Sequence, residues 1–202
     1  MAEAQTAPQR HPLVLASASP RRRVLLAMIR VGVDVVPADI DEAALTDGLD
    51  PTATVTTAAH AKAEAVDGQG RPVLAADTVV VLDGGILGKP ADRADAADML
   101  LRQSGRTAEV ISCVVLKHTD GSVTNRTAHS TLAIAKLDDS TIAEYLATGE
   151  ADDKAGALAV QGAAKPFVTI VDGSRSNVFG LPLAETIELL RGAGIAVEEP
   201  RP

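Results

Sequence analysis

LVLASASPRRRVLL, residues 13–26, reads as a strand, a tight turn and the start of a helix. Three apolar residues open it, small residues turn it, and Pro20 stands where the helix begins. Proline suits the first helical position because its missing N–H would be unpaired there anyway, and a serine just before it is a preferred cap. Arg21, Arg22 and Arg23 then sit at the positive end of the helix macrodipole, where each cation is disfavoured by about 0.3–1 kcal/mol. A bound anion accounts for that cost, since backbone N–H groups, the Ser17 and Ser19 hydroxyls and guanidinium forks converge there. The alternative is three arginines turned to solvent.

Outward from this unit, strands and helices alternate. A short β-type run, Val33–Val36, precedes the acidic loop ADIDEAALTDGLD, and Thr52–Val66 has helical spacing. VLAADTVVVL, residues 73–82, is the pattern of a strand buried on both faces. Asp77 interrupts it, and a carboxylate there must be paired, hydrogen-bonded or bound to a metal. Residues 92–103 read as a helix stopped by Gly105, and two long β-runs, 107–117 and 123–137, flank an Asp-Gly turn. Asp139 or Ser140 is the expected cap of a helix ending at Ala147, and Pro182 opens a last helix after the strand FVTIVD and the polar turn GSRSN. This order predicts an α/β protein with a mixed sheet. Residues 1–11 are read as a flexible tail and residues 12–199 as one domain.

Composition narrows the partner. With one tyrosine, two phenylalanines and no tryptophan in 202 residues, the core is aliphatic and stacking platforms for single-stranded nucleic acid are missing. A formal charge of −8 argues further against nucleic acid. The single Cys113 lies in the apolar run ISCVVL and reads as a buried small hydrophobe, compatible with a reducing compartment. No secretory signal and no run of roughly 20 apolar residues is present, so a soluble cytoplasmic protein acting on a small molecule, without a membrane partner, is expected.

Several chemistries drop out. The four histidines have no zinc-ligand spacing. GGILGKP falls one residue short of a P-loop and places Pro90 where Ser or Thr would hold magnesium, and GQGRPV leads into a strand rather than a helix. What remains is Glu42, Asp77, Lys62, Lys89, Lys154 and the early arginines, a set that suits a hard divalent metal carrying a polyphosphate.

Five blocks in order, SASPRR (17–22), ADT (76–78) with LGKP (87–90), SGRT (104–107), DKAG (153–156) with QG (161–162), and SNVFGLPL (176–183), resemble the signature of the Maf family of nucleoside triphosphate pyrophosphatases. The resemblance runs from Leu13 to Leu190. It implies a two-lobed Maf/ITPase-like fold with an elongated mixed β-sheet, a cleft between the lobes, and a homodimer. It also implies metal-assisted hydrolysis, with Mg or Mn, of the bond between the α and β phosphates. On this resemblance Asp77 is the proton acceptor, Glu42 and Asp77 hold the metal, and Lys89 joins them in the catalytic set. Ser17, Arg22, Lys62 and Lys89 bind the substrate's phosphates, Ser19 is a further substrate-binding residue, and Arg21, Thr78 and Gln161 bear on substrate choice, with Pro20-Arg21-Arg22, Thr78 and Gln161 together pointing to dTTP and UTP. Arg23 falls outside the matched block and is assigned to solvent. Gly85, Ala108, Leu158 and Arg175 depart from the family's usual Glu, His, aromatic and Tyr. Those departures keep a nucleotide-sensing, non-enzymatic regulator of cell division and septum formation as the alternative, and a triphosphatase that releases orthophosphate is a third reading, distinguished by its product.

Overall fold

The computed structural model describes residues 11–198, so the expected tail, His11 apart, lies outside the described residues. In chain order the elements are β1 (Leu13–Leu15), α1 (Pro20–Met28), β2 (Val33–Val35), α2 (Glu42–Thr46), α3 (Pro51–Ala65), β3 (Val73–Leu82) and β4 (Gly85–Leu87). They continue with α4 (Arg93–Gln103), β5 (Thr107–Lys117), β6 (Val123–Ile134), α5 (Asp139–Ala147), β7 (Val168–Asp172), α6 (Arg175–Val178) and α7 (Leu183–Gly192). The strands form one mixed sheet in the order β2-β1-β3-β5-β6-β7, with β4 on β3, as the α/β reading predicts.

Acidic caps place several helices. Asp50 accepts from Thr52 N and Ala53 N at 2.9 and 3.0 Å to start α3, and Asp92 accepts from Asp95 N at 2.9 Å to start α4. The cap of α5 is Asp138, not Asp139 or Ser140. Its carboxylate accepts from Thr141 N and Ser140 Oγ, both at 2.8 Å, and these bonds hold its pKa down to about 2. Two short helices arise where the sequence predicts only loop and turn. Asp41 caps α2 through Ala44 N, and Ser174 caps α6 through Asn177 N. One or two turns are too short to show a hydrophobic period, so only the capping residue could signal them.

The spine is β3, paired antiparallel with β5 over nine residues, Val73 to Val81. Its other edge is shared. β1 runs parallel to Val73 and Leu74, with Ala16 N donating to Leu74 O at 2.8 Å, and β4 is antiparallel to Val80–Leu82. Between those partners residues 75–79 form an open stretch of edge, and the cleft enters there.

Alternation along β3 assigns the packing. Val73, Ala75, Val79 and Val81 meet α3, with Val55, Ala59 and Ala63 among its buried positions. On the opposite face Leu74 and Ala76 join α1 and α7 in one core, whereas Val80 and Leu82 join α4 and α5 in another. Two cores on one face, separated at Thr78, give the molecule its two lobes. Among the described residues no helix is long and apolar enough to cross a membrane.

Leu116, fully buried in the first lobe, tests this packing. Leu116→Ala should lower the unfolding free energy by about 2–5 kcal/mol, read as a lower urea midpoint at unchanged m-value.

Candidate functional site

The open edge of β3 leads into a cleft of about 1200 Å³. β3 presents its two polar residues to opposite sides of it. Asp77 is on the α3 side, where Lys62 reaches from the last turn of that helix. The Lys62 Nζ donates to Asp77 Oδ1 at 2.7 Å and to Glu42 Oε2 at 2.8 Å. Glu42 is the first residue of α2, so the short helix absent from the sequence reading is what carries it in. The side chains of Lys62 and Asp77 are only 11% and 13% exposed, against 50% for Glu42. An ammonium thus joins one buried carboxylate to one at the cleft mouth.

Burial raises the Asp77 pKa above its ordinary value, opposed by Lys62 and then by Arg22, while Glu42 adds to the rise. Burial also lowers the pKa of the Arg22 guanidinium, against the pull of Asp77 and Glu42. Arg22 is held in place: Nη1 donates to Ser17 Oγ at 2.9 Å and Nε to Gly180 O at 2.8 Å. Ser17 Oγ in turn accepts from Ser19 N at 3.2 Å. Ser19 occupies the cap position of α1, but its side chain makes no cap hydrogen bond, contrary to the expected serine cap. The Ser19 side chain thus leaves the first N–H groups of α1 uncapped, and free N–H groups at a helix start are chemically suited to an anion.

Ser17, Ser19, Arg21, Arg22, Glu42, Lys62, Asp77, Thr78, Lys89 and Gln161 all line this one cleft. Lys89 and Gln161 are exposed on its far wall, on the second lobe. Lys154 is paired with its neighbour Asp153. Arg23 is exposed and outside the lining, as expected. Of the four departures, Leu158 lines the cleft, Ala108 is buried in the second-lobe core, and Gly85 and Arg175 are exposed outside the lining.

The far wall has its own support, which the sequence reading missed. Gly156 and Ala157 are left-handed, φ +63° and +57°, a conformation unfavourable for alanine. Buried bonds hold it. Tyr145 donates to Ala157 O at 2.7 Å and accepts from Ala159 N at 2.8 Å, Gln103 Nε2 donates to Gly156 O at 2.8 Å, and Gly156 N donates to Gly88 O at 2.9 Å. The last bond ties the wall to the loop carrying Lys89. Ser112, beside Thr78 on β5, was also missed. Its only signal is a hydroxyl inside the apolar run around Cys113, whose own thiol pKa is raised by burial, as befits an inert core residue.

Glu42 and Asp77 are hard oxygen donors facing a point that a cation, Lys62 Nζ, already holds. Among the described residues no group of three His, Cys, Asp or Glu forms a ready cage. Two carboxylates fit magnesium or manganese, which take the rest of their ligands from phosphate and water.

Residues 12–193 match the family described as Maf-like protein. This chain belongs to the Maf-like family. Among Maf-like relatives it is 47% identical over 193 residues to the dTTP/UTP pyrophosphatase of Anaeromyxobacter dehalogenans strain 2CP-1, covering 94% of this chain and 98% of the relative. The dTTP/UTP pyrophosphatase of Hyphomonas neptunium is 44% identical over 184 residues, 91% and 96% of the two chains. A crystal structure of a nucleoside-triphosphatase / dITP/XTP pyrophosphatase from Mycobacterium abscessus aligns at 18% identity, 90% and 94% coverage and a TM-score of 0.44, too distant to bear on this Maf-like chain.

The raised Asp77 pKa fixes a sign. The unfolded carboxyl titrates near 3.8, so from there up to the folded pKa the native state binds more protons, and stability falls as pH rises across that window. Thermal melts without divalent cations should show the parent losing stability as the pH rises from 3.8 through the folded pKa, and Asp77→Asn, which also removes the counter-charge of Lys62, should lack that pH-dependent fall.

Proposed function

We propose that this chain hydrolyses nucleoside triphosphates, dTTP and UTP foremost, at the α–β phosphoanhydride, giving nucleoside monophosphate and pyrophosphate with Mg or Mn. The observation that carries the reading is the Asp77–Lys62–Glu42 bridge in a cleft also lined by Arg22 and Lys89. The relatives' names support the same reaction and substrates.

Phosphoryl transfer asks the protein mainly to position groups and to offset charge. Glu42 and Asp77 would hold the divalent cation, which when bound offsets charge on the triphosphate. Arg22, fixed by Ser17 and Gly180, meets phosphate oxygens without reorganising. Asp77 accepts the proton of the attacking water. Burial strengthens it as a base, while Lys62 and Arg22 keep the ionised form within reach. Attack forms the bond from water oxygen to the α-phosphorus, and the pyrophosphate leaves with the bridging oxygen and its electron pair. Lys62 and Lys89 meet that developing charge. On the other side of β3, aliphatic residues including Val80, Val110, Leu158 and Val178 offer the base an apolar recess, edged by Thr78 and Gln161. A cytoplasmic location and a homodimer belong to the same proposal.

A panel of nucleotides incubated with Mg or Mn, with both products identified, tests the reading. Pyrophosphate and monophosphate are expected from UTP and dTTP, and their absence from every nucleotide defeats it. Asp77→Asn should lower kcat by roughly 10²–10⁴, the usual worth of a positioned base. Lys62→Met removes the largest influence holding the Asp77 pKa down. The acid limb of its kcat/KM profile should therefore move to higher pH.

A further inference from the structure

On the face of β3 opposite Asp77 a polar seam runs inward from Thr78. Thr78 Oγ1 lies 2.8 Å from Ser112 Oγ, and Ser112, fully buried, lies 3.4 Å from Asn177 O. The seam continues to Ser130, whose Oγ accepts from Asn177 Nδ2 at 2.9 Å and Ser174 N at 3.1 Å and donates to Ser174 O at 3.3 Å. Ser130 is therefore saturated. Asn177 Oδ1, also buried, has no partner. Asn177 Nδ2 spends its other hydrogen on Val110 O at 3.1 Å.

The Asn177 carbonyl sets the direction of the Thr78–Ser112 bond. A carbonyl can only accept, so the Ser112–Asn177 bond uses the Ser112 hydrogen, and Ser112 must then accept from Thr78. Asn177 O also accepts from Gly180 N at 2.8 Å, so the Ser112 hydrogen fills its second lone pair, and the reverse assignment, with Ser112 donating to Thr78, makes one internal bond fewer. The Thr78 hydrogen points inward, and lone pairs are what Thr78 presents to the cleft.

We infer that Ser112 fixes Thr78 as a hydrogen-bond acceptor, so that the site selects a substrate presenting an N–H or O–H donor there: the imide N3–H of uracil or thymine, or a sugar hydroxyl. The inference rests on the nucleotide reading above. Cytosine offers an acceptor at N3 and sets lone pair against lone pair. Phosphate oxygens are predominantly ionised acceptors at neutral pH and are turned away from Thr78 toward Arg22. Ser112 acts through Thr78 and is a positioning residue.

Calorimetric dissociation constants, measured without divalent cations on the full chain so that no turnover is needed, test this with UTP, N3-methyl-UTP, 3′-deoxy-UTP and CTP. The parent should bind the analogue lacking the donor about tenfold more weakly than UTP. A loss confined to N3-methyl-UTP and CTP identifies the imide, and a loss with 3′-deoxy-UTP identifies the sugar. In Ser112→Ala the Thr78 hydroxyl is free to rotate, and the gap should shrink about fivefold or more. If the imide is the donor, CTP should bind more tightly than it does to the parent, a gain that mere loosening of the fold would not give. Thr78→Val should abolish the gap. An unchanged gap in a Ser112→Ala protein with native circular dichroism and melting overturns the inference, as does parent affinity equal for all four nucleotides. Pyrophosphate release from UTP with magnesium is measured alongside. Selective binding without release would sink the proposed reaction and leave the polarity of Thr78 standing, whereas binding of none of the four sinks both.

Discussion

An ammonium held between two carboxylates is the constraint from which the site follows. Lys62 is mostly buried, and a charge taken out of water there is tolerated only with opposite charge in contact. Asp77 supplies it from β3 and Glu42 from α2, and each is placed by local rules. The alternation of β3 puts Asp77 on the α3 face, and the Asp41 cap starts α2 at Glu42. A one-residue slip of β3 would turn Asp77 away from Lys62 and strand the ammonium. The bridge also sums to one net negative charge, which suits a metal cation with its anionic cargo better than a free anion.

Much of this was legible in sequence because strong periodicities and breaks in them are local. The apolar run broken by Asp77 gave β3 and its polar residue, and Pro20 gave the start of α1. The aliphatic run ISCVVL and the Asp-Gly turn likewise gave β5 and its hairpin to β6. Convergence was not legible from the residues singly. That Lys62, twenty residues after Glu42 and fifteen before Asp77, touches both depends on how α2 and α3 fold over β3. The ordered blocks supplied by resemblance what spacing could not. Ser19 shows the limit of a local rule: it stands at the cap position, yet its hydroxyl does not cap.

The second wall follows a different logic. Two of the chain's three aromatic residues, Tyr145 and Phe167, pack edge to face in the second lobe, with centroids 5.3 Å apart. Tyr145 spends its hydroxyl on a left-handed turn that carries cleft residues, and Gln103 does the same from α4. An aliphatic core can be repacked with little loss, but these polar clamps fix one backbone path. The wall bearing Gln161 is therefore built for position more than for stability.

The stretch of β3 between its two edge partners is also a ruler. From Leu74, the last residue beside β1, to Val80, the first beside β4, the strand advances six residues, about 20 Å at the usual rise. Because β3 runs unbroken through both lobes alongside β5, that span cannot be changed by a hinge in the sheet. The spacing between the arginine end and the Gln161 end is counted out in peptide units. An insertion there would lengthen the gauge and flip the faces of every residue after it. On the proposed function the cleft would gauge its nucleotide against a covalent standard, leaving only the flanking loops and α2 to adapt.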